Sequence, residues 1–274
     1  SVVPGSRGGV YGKVQIRGDY PARIGLSAAI QYSDNMPHTE AVRRQYLEAM
    51  GIPLWERRMA TAPTVLDSTV DAPSNIAASS VDVTDAGASP EWLVLEEAVR
   101  SCTKCGLHST RTQTVFGVGN RRAQWMFVGE APGADEDRQG EPFVGAAGKL
   151  LNAMIAALGL KREDVYIANV LKCRPPNNRD PQANEVEQCE PNLVRQIELI
   201  QPKLIVALGR HAAHSLLKTD LALARLRGQS LSYQNIPLVV TYHPAYLLRT
   251  PSDKRKAWED LRRARAIISQ AATP

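Results

Sequence analysis

No apolar run in the 274 residues approaches the roughly 20 needed to span a bilayer. No charged-then-apolar signal segment stands at the start. Together these absences exclude a helical membrane span and give the expectation of a cytoplasmic protein with no membrane partner. Cysteine is scarce, four residues in all, and in a reducing compartment a disulfide framework is excluded. Residues 60–90 carry acids but no Lys or Arg. Low complexity of that kind cannot repay its ordering entropy, so residues 60–89 are expected to be a flexible linker. No internal repeat is evident.

What is present is unevenly spread. The hydrophobic content of 43% can bury a real core. From residue 91 onward there are 25 Lys+Arg against 19 Asp+Glu, while residues 1–90 hold 8 against 9. The basic excess of the C-terminal two thirds suits a polyanion such as nucleic acid, although many soluble domains carry as much without one. Residues 1–35 lack Met, are rich in Gly and Arg, show no period, and read as a disordered or non-native extension. Residues 36–59 hold a short amphipathic peptide: Val42, Tyr46, Leu47 and Met50 fall on one helical face, Gly51 ends it, and Ile52, Leu54 and Trp55 follow. It reads as a docking peptide for a replication-protein partner through residues 40–58, or as a helix packed on the main domain. The run Leu47–Trp55 resembles the N-terminal peptide of a bacterial replicase clamp-loader subunit.

Residues 90–270 have an α/β rhythm. Strands are expected at Trp125–Val128, Val165–Asn169, Leu204–Leu208 and Leu238–Thr241. Helices are expected at Glu91–Ser101, Ala146–Leu158, Asn184–Ile200, Arg210–Leu217 and Asp253–Gln270. Short apolar strands alternating with helices predict one domain with a central four-stranded parallel sheet flanked by helices, behind a largely disordered N-terminal extension. The chain is organised around Trp125–Gly145, where an apolar strand breaks into Gly129-Glu130-Ala131-Pro132-Gly133. The acids Asp135, Glu136, Asp137 and Glu141 follow, then Pro142-Phe143-Val144-Gly145. A Gly-rich loop at the carboxyl end of a buried strand is where open α/β folds bind ligands; a surface turn with solvated acids is the plainer reading.

Cys102-x2-Cys105 has metal-ligand spacing, and Cys173-x15-Cys189 can complete a tetrahedron. Structural zinc and an iron–sulfur cluster both fit, with zinc disfavoured by the long gap and the lack of a second C-x-x-C. Asn169, at the end of the second strand, can donate to a carbonyl and accept from an N–H, the pattern of a pyrimidine edge, or it can cap a turn. The basic loop Pro175–Arg179 suits phosphate contact. His243 stands at the end of the fourth strand before a Pro-started helix and can donate to a developing anion, or be a surface histidine. His211 and His214 read as helix residues, His38 and His108 as peripheral.

Taken together, Gly129-Glu130-Ala131-Pro132-Gly133, Pro142-Phe143-Val144-Gly145, Asn169, Lys172–Arg179, His243–Arg249 and the four cysteines resemble the family 4 uracil-DNA glycosylases, the bacterial and archaeal iron–sulfur type, over residues 91–266. The resemblance implies a [4Fe–4S] cluster on Cys102, Cys105, Cys173 and Cys189. It implies a pocket in which Gly129, Glu130 and Ala131 line the uracil, Phe143 stacks on it and Asn169 reads its polar edge. His243 would bond O2 as the base departs, with His243, Glu130 and Asn169 as the catalytic set and Glu136 and Asn178 as helpers toward water. Tyr246, Leu247, Leu248 and Arg249 would form the DNA wedge. The implied protein is a bacterial, nucleoid-associated monomer that hydrolyses uracil from single- or double-stranded DNA in base excision repair, rejecting thymine by its 5-methyl. The alternative is a catalytically weak DNA-binding scaffold with a structural metal site.

Overall fold

The structure, a computed structural model, describes Arg44 and residues 89–271. The expectations for residues 1–35, 36–59 and 60–88 lie outside the described residues, apart from Arg44, which is helical and exposed. Among the described residues no helix is long and apolar enough to cross a membrane.

Six strands make one sheet: β1 (Val118–Gly119), β2 (Trp125–Gly129), β3 (Tyr166–Asn169), β4 (Leu204–Leu208), β5 (Leu231–Tyr233) and β6 (Ile236–Thr241), in the order β1-β3-β2-β4-β6-β5. The inner four are parallel, as expected. To them the structure adds β1 and β5, which pair antiparallel at the two edges. β2, β3 and β4 are buried along their whole length. That follows from coverage on both faces, which removes the polar alternate positions a half-exposed strand would need.

Successive residues of each strand therefore enter different cores. Trp125 and Phe127 join Ile167, Leu204 and Val206 against α3 (Ala146–Ala157) and α8 (Lys254–Ala271). Met126 and Val128 join Tyr166, Ile205 and Val240 against α1 (Pro90–Arg100), α4 (Ala183–Ile200) and α5 (Arg210–Leu217). Three short helices complete the described chain: α2 (Ala134–Gln139), α6 (Leu223–Leu226) and α7 (Pro244–Arg249).

From β2 the chain winds outward to β3, then returns past β2 to β4 and continues the other way to β6. The connections diverge at β2 and β4, and in such sheets the crevice outside the strands' carboxyl ends is the ligand site. Gly129, Asn169, Leu208 and Thr241 are the last residues of the four parallel strands. The sheet thus delivers the Gly129 loop, Asn169 and the Tyr242-His243 segment to one edge.

Candidate active site

An open cleft of about 420 Å³ lies at that edge. It is lined by Glu130, Ala131, Phe143, Asn169 and His243 of the expected pocket, by the expected helpers Glu136 and Asn178, by Tyr246 and Arg249 of the expected wedge, and by Arg179 and Asp180. Gly129, expected to line the base, lies behind Asn169 and Phe143 and not in the lining. Register explains its floor. Gly129 pairs with Asn169 across β2 and β3, and a Cβ at Gly129 would stand 2.3 Å from Asn169 Oδ1 and 2.5 Å from Phe143 Cζ. Only glycine lets the amide and the ring approach so closely.

Asn169 is 2% exposed, and its Oδ1 is buried with no hydrogen-bond partner. Its backbone carbonyl accepts from Lys172 Nζ at 2.9 Å. Lys172 is itself buried and also donates to Gln196 Oε1 at 2.6 Å, while Gln196 Nε2 donates to the Phe116 carbonyl and to Tyr166 Oη. Burial pushes the Lys172 ammonium down to about 8. Lys172 therefore supports Asn169 from behind.

Phe143 has φ +55°, a left-handed conformation that costs a bulky residue about 1–3 kcal/mol. The strain is held in place by Glu136. Its carboxylate accepts from the backbone N–H groups of Gly133 (3.1 Å), Val144 (2.9 Å) and Gly145 (3.1 Å). Gly148 gives the turn room, since a Cβ there would meet the Phe143 carbonyl oxygen at 1.8 Å. Glu136, expected as a helper toward water, thus spends its oxygens on shaping the Phe143 turn. Of its neighbours, Asp137 is buried and accepts from Thr112 N and Oγ1, and Asp135 pairs with Arg138 on the surface.

His243 caps α7: its Nδ1 accepts from Ala245 N–H at 3.1 Å. That bond puts the ring proton on Nε2. Desolvation, then the nearby Arg249, push the imidazole down to about 4, so it is neutral across physiological pH. Its ring lies 5.5 Å from that of Phe143. Gly209, at φ +90°, leaves space for it, because a Cβ there would stand 2.9 Å from His243 Cβ.

Glu130 is half-buried in the same cleft. Desolvation, then the Asp180 charge, push its carboxyl up to about 7 against the pull of Arg210. His211 Nε2 lies 3.9 Å from Glu130 Oε2 and 3.3 Å from Asp180 Oδ2. Arg210 Nη2 reaches the same Asp180 oxygen at 3.3 Å. Asn178 is exposed at the rim, with Arg174 Nε donating to its Oδ1, and Arg179 pairs with Glu185. In the expected wedge, Leu247 is 1% exposed and belongs to the core, so only Leu248 and Arg249 project outward. A single six-residue helix cannot present four consecutive side chains to one side.

All four cysteines line a second, separate cavity. Cys102 follows α1, Cys105 precedes a turn of 3-10 helix at Gly106–Ser109, Cys173 follows β3 and Cys189 stands on α4. Arg111 Nη1 donates to Cys173 Sγ at 3.1 Å and to the Cys102 carbonyl at 2.8 Å, and Lys172 N–H donates to Cys189 Sγ at 3.2 Å. Burial pushes the Cys173 thiol up to about 11. Thiolates in this setting need a cation to compensate them. A tetrahedral zinc holds its sulfurs about 3.8 Å apart. Among the described residues the only Cys, His or acid trio within 4.8 Å is Glu130, Asp180 and His211, so the cysteine cradle is wider than one ion requires.

Comparison with known proteins gives the same reading of the fold. The uracil DNA glycosylase superfamily pattern matches residues 116–262. A type-4 uracil-DNA glycosylase of Archaeoglobus fulgidus is 51% identical over 180 residues, covering 62% of this chain and 90% of the relative. Those of Sulfurisphaera tokodaii and Saccharolobus solfataricus are 47% and 44% identical, covering 66% and 64% of this chain and 84% and 86% of theirs. The chain belongs to the type-4 uracil-DNA glycosylase family. The superfamily match begins downstream of Cys102 and Cys105, so this first pair is the part of the cradle that the broad pattern leaves out.

Several residues of this type-4 site carry no signal in the sequence. Asp180 and His211 are 31 positions apart and meet only through the fold. Lys172 and Gln196 form a buried polar pair where both types are normally exposed. Glu136 did have a signal: a glycine three residues before a Glu at a helix start has the spacing of a capping box.

Proposed function

We propose that the chain hydrolyses the N-glycosidic bond of uracil in DNA and leaves an abasic site, as the first step of base excision repair, with the residues of the cleft in the following roles. The observation that carries the assignment is the buried, partnerless Oδ1 of Asn169 beside Phe143 and His243. An acceptor in that state costs about 1–3 kcal/mol unless a ligand brings a donor. Uracil brings one, its N3–H, next to a carbonyl that the Asn amide can serve. Cytosine offers an acceptor at the same place and leaves Oδ1 unsatisfied.

A base must leave the stack before its glycosidic bond is reachable. The flipped uracil lies against Phe143, whose position is already fixed by Glu136. As the bond from C1′ to N1 breaks, its electron pair goes to the base and charge gathers on O2. His243, neutral and with its proton on Nε2, donates to that oxygen without having to lose a proton. A donor aimed in advance at developing charge is worth about 10²–10³ in rate. The cation-like sugar is captured by water, with Glu130 the acceptor for its proton once ionised. Leu248 and Arg249 fill the gap in the duplex.

The cradle of Cys102, Cys105, Cys173 and Cys189 suits a [4Fe–4S] cluster, supported by its four thiols, its N–H donors to sulfur and its width. Such a cluster supplies cross-linking of α1, β3 and α4; no step of the hydrolysis uses it.

The test is a single-turnover assay on oligonucleotides carrying uracil, thymine or cytosine, with iron and acid-labile sulfide measured on the same preparation. Release of uracil alone, from protein holding about four irons, is the expected result. Iron-replete protein that releases no base would move the weight to a DNA-binding scaffold.

A further inference from the structure

Helix α7 has six residues, far too few to hold a helical shape unaided, yet as a wedge it must press into a stacked duplex. Behind it runs a chain of contacts that the uracil chemistry leaves unused. Tyr246 Oη donates to Asp253 Oδ2 at 2.7 Å, and Lys256 Nζ holds the other oxygen of Asp253 at 2.8 Å. Asp253 is buried at 9% exposure and Tyr246 is half-buried, so this bond is partly shielded from solvent. The Tyr246 ring stacks on Tyr242 at 5.1 Å and 13°.

Tyr242 in turn lies under the Arg227 guanidinium at 4.5 Å. Arg227 is fixed by two bonds to Asp260 (2.7 and 3.0 Å) and one to the Lys256 carbonyl at 2.8 Å, and Thr241 Oγ1 donates to the same Asp260. Anchors from α8, from the end of β6 and from the Pro251–Asp253 turn converge on two tyrosines. One precedes His243 directly and the other follows it by three residues.

We propose that Asp253 is a positioning residue that braces α7 from behind through Tyr246, with Arg227 seating the stacked Tyr242, and that this brace sets activity on duplex relative to single-stranded DNA. The proposal rests on the wedge role given to α7 above. A wedge works only if it is stiffer than the stack it enters; one that yields returns the base to the helix. Uracil in a single strand needs no wedge, so loosening the brace spares it. A U:G mismatch, already weakly stacked, falls between.

The experiment measures single-turnover rates on single-stranded uracil, a U:G duplex and a U:A duplex for the cluster-containing full chain and three variants. Asp253→Ala is expected to lower the duplex-to-single-strand ratio about tenfold for U:A, the scale of one charge-assisted hydrogen bond, less for U:G, with the single-strand rate unchanged. Asp253→Asn keeps an oxygen that accepts from Tyr246 and is expected to restore the ratio. Leu248→Ala removes the projecting tip and is expected to lower the ratio with the brace intact. If Leu248→Ala lowers the ratio and Asp253→Ala does not, or slows both substrates equally, the brace is overturned and the wedge stands. If Leu248→Ala leaves the ratio unchanged, the wedge reading fails and takes the brace with it.

Discussion

The base pocket and the cysteine cradle stand at the two ends of one five-residue segment, and they treat their polar atoms in opposite ways. At Asn169 the side-chain oxygen is buried and given no donor. At Cys173, four residues on, the sulfur has a guanidinium 3.1 Å away, and Cys189 has a backbone N–H. Lys172 lies between them, its side chain turned to the Asn169 carbonyl and its backbone N–H to the Cys189 sulfur. A site visited briefly leaves its recognition group unsatisfied, so that the visitor gains the whole bond. A site meant to stay filled arranges its second layer of donors in advance. The difference separates function from stability in residues that are almost neighbours.

Three measurements bear on that contrast. The largest effect is expected at Asn169→Ala, where the single-turnover rate on uracil should fall by about 10²–10³. The midpoint of denaturant unfolding should not fall, because losing an unsatisfied acceptor relieves its desolvation cost of about 1–3 kcal/mol and offsets the packing lost with the side chain. A large loss of stability in this variant would break the contrast outright.

Next is pH. In the role proposed for it, Glu130, raised to about 7, must be ionised to accept a proton from water, so the rate should rise with pH through that value. From pH 8 to pH 5 the ionised fraction, and with it the rate, should drop about a hundredfold. No second limb belongs to His243, which stays neutral down to about pH 4. Glu130→Gln should abolish the limb, and a profile that keeps it would remove Glu130 from the water role.

The smallest effect on rate is expected on the cradle side. Arg111→Ala deletes donors to Cys173 Sγ and to the Cys102 and Arg100 carbonyls, and should cost about 1–3 kcal/mol in equilibrium unfolding. Its rate per folded molecule should stay within about twofold of wild type, since no Arg111 atom lines the cleft. A rate loss larger than the stability loss would couple the two sites.

What the sequence made legible follows the same division. The four inner strands were readable because burial on both faces leaves unbroken apolar runs such as Leu204–Leu208. The edge strands β1 and β5 were not, since two or three residues paired through backbone groups need no side-chain pattern. The cleft residues Glu130, Phe143, Asn169 and His243 stood in spaced motifs and meet in one cleft as expected. Leu247 reads as part of an outward wedge until the turn of α7 places it in the core. The Asp180–His211–Arg210 cluster beside Glu130 is a product of tertiary structure alone, joining the segment before α4 to the start of α5.

The bond from Ala245 N–H to His243 Nδ1 has one more consequence. With one nitrogen committed to the helix and the other holding the only ring proton, the imidazole behaves as a fixed electrode and not as a proton carrier. It can polarise the departing base but cannot neutralise it by transfer, because that would leave an imidazolate. In the reaction proposed above the base therefore departs as an anion, and for a moment enzyme and DNA would hold a separated pair, a negative ring on one side and a positive sugar on the other, which water resolves.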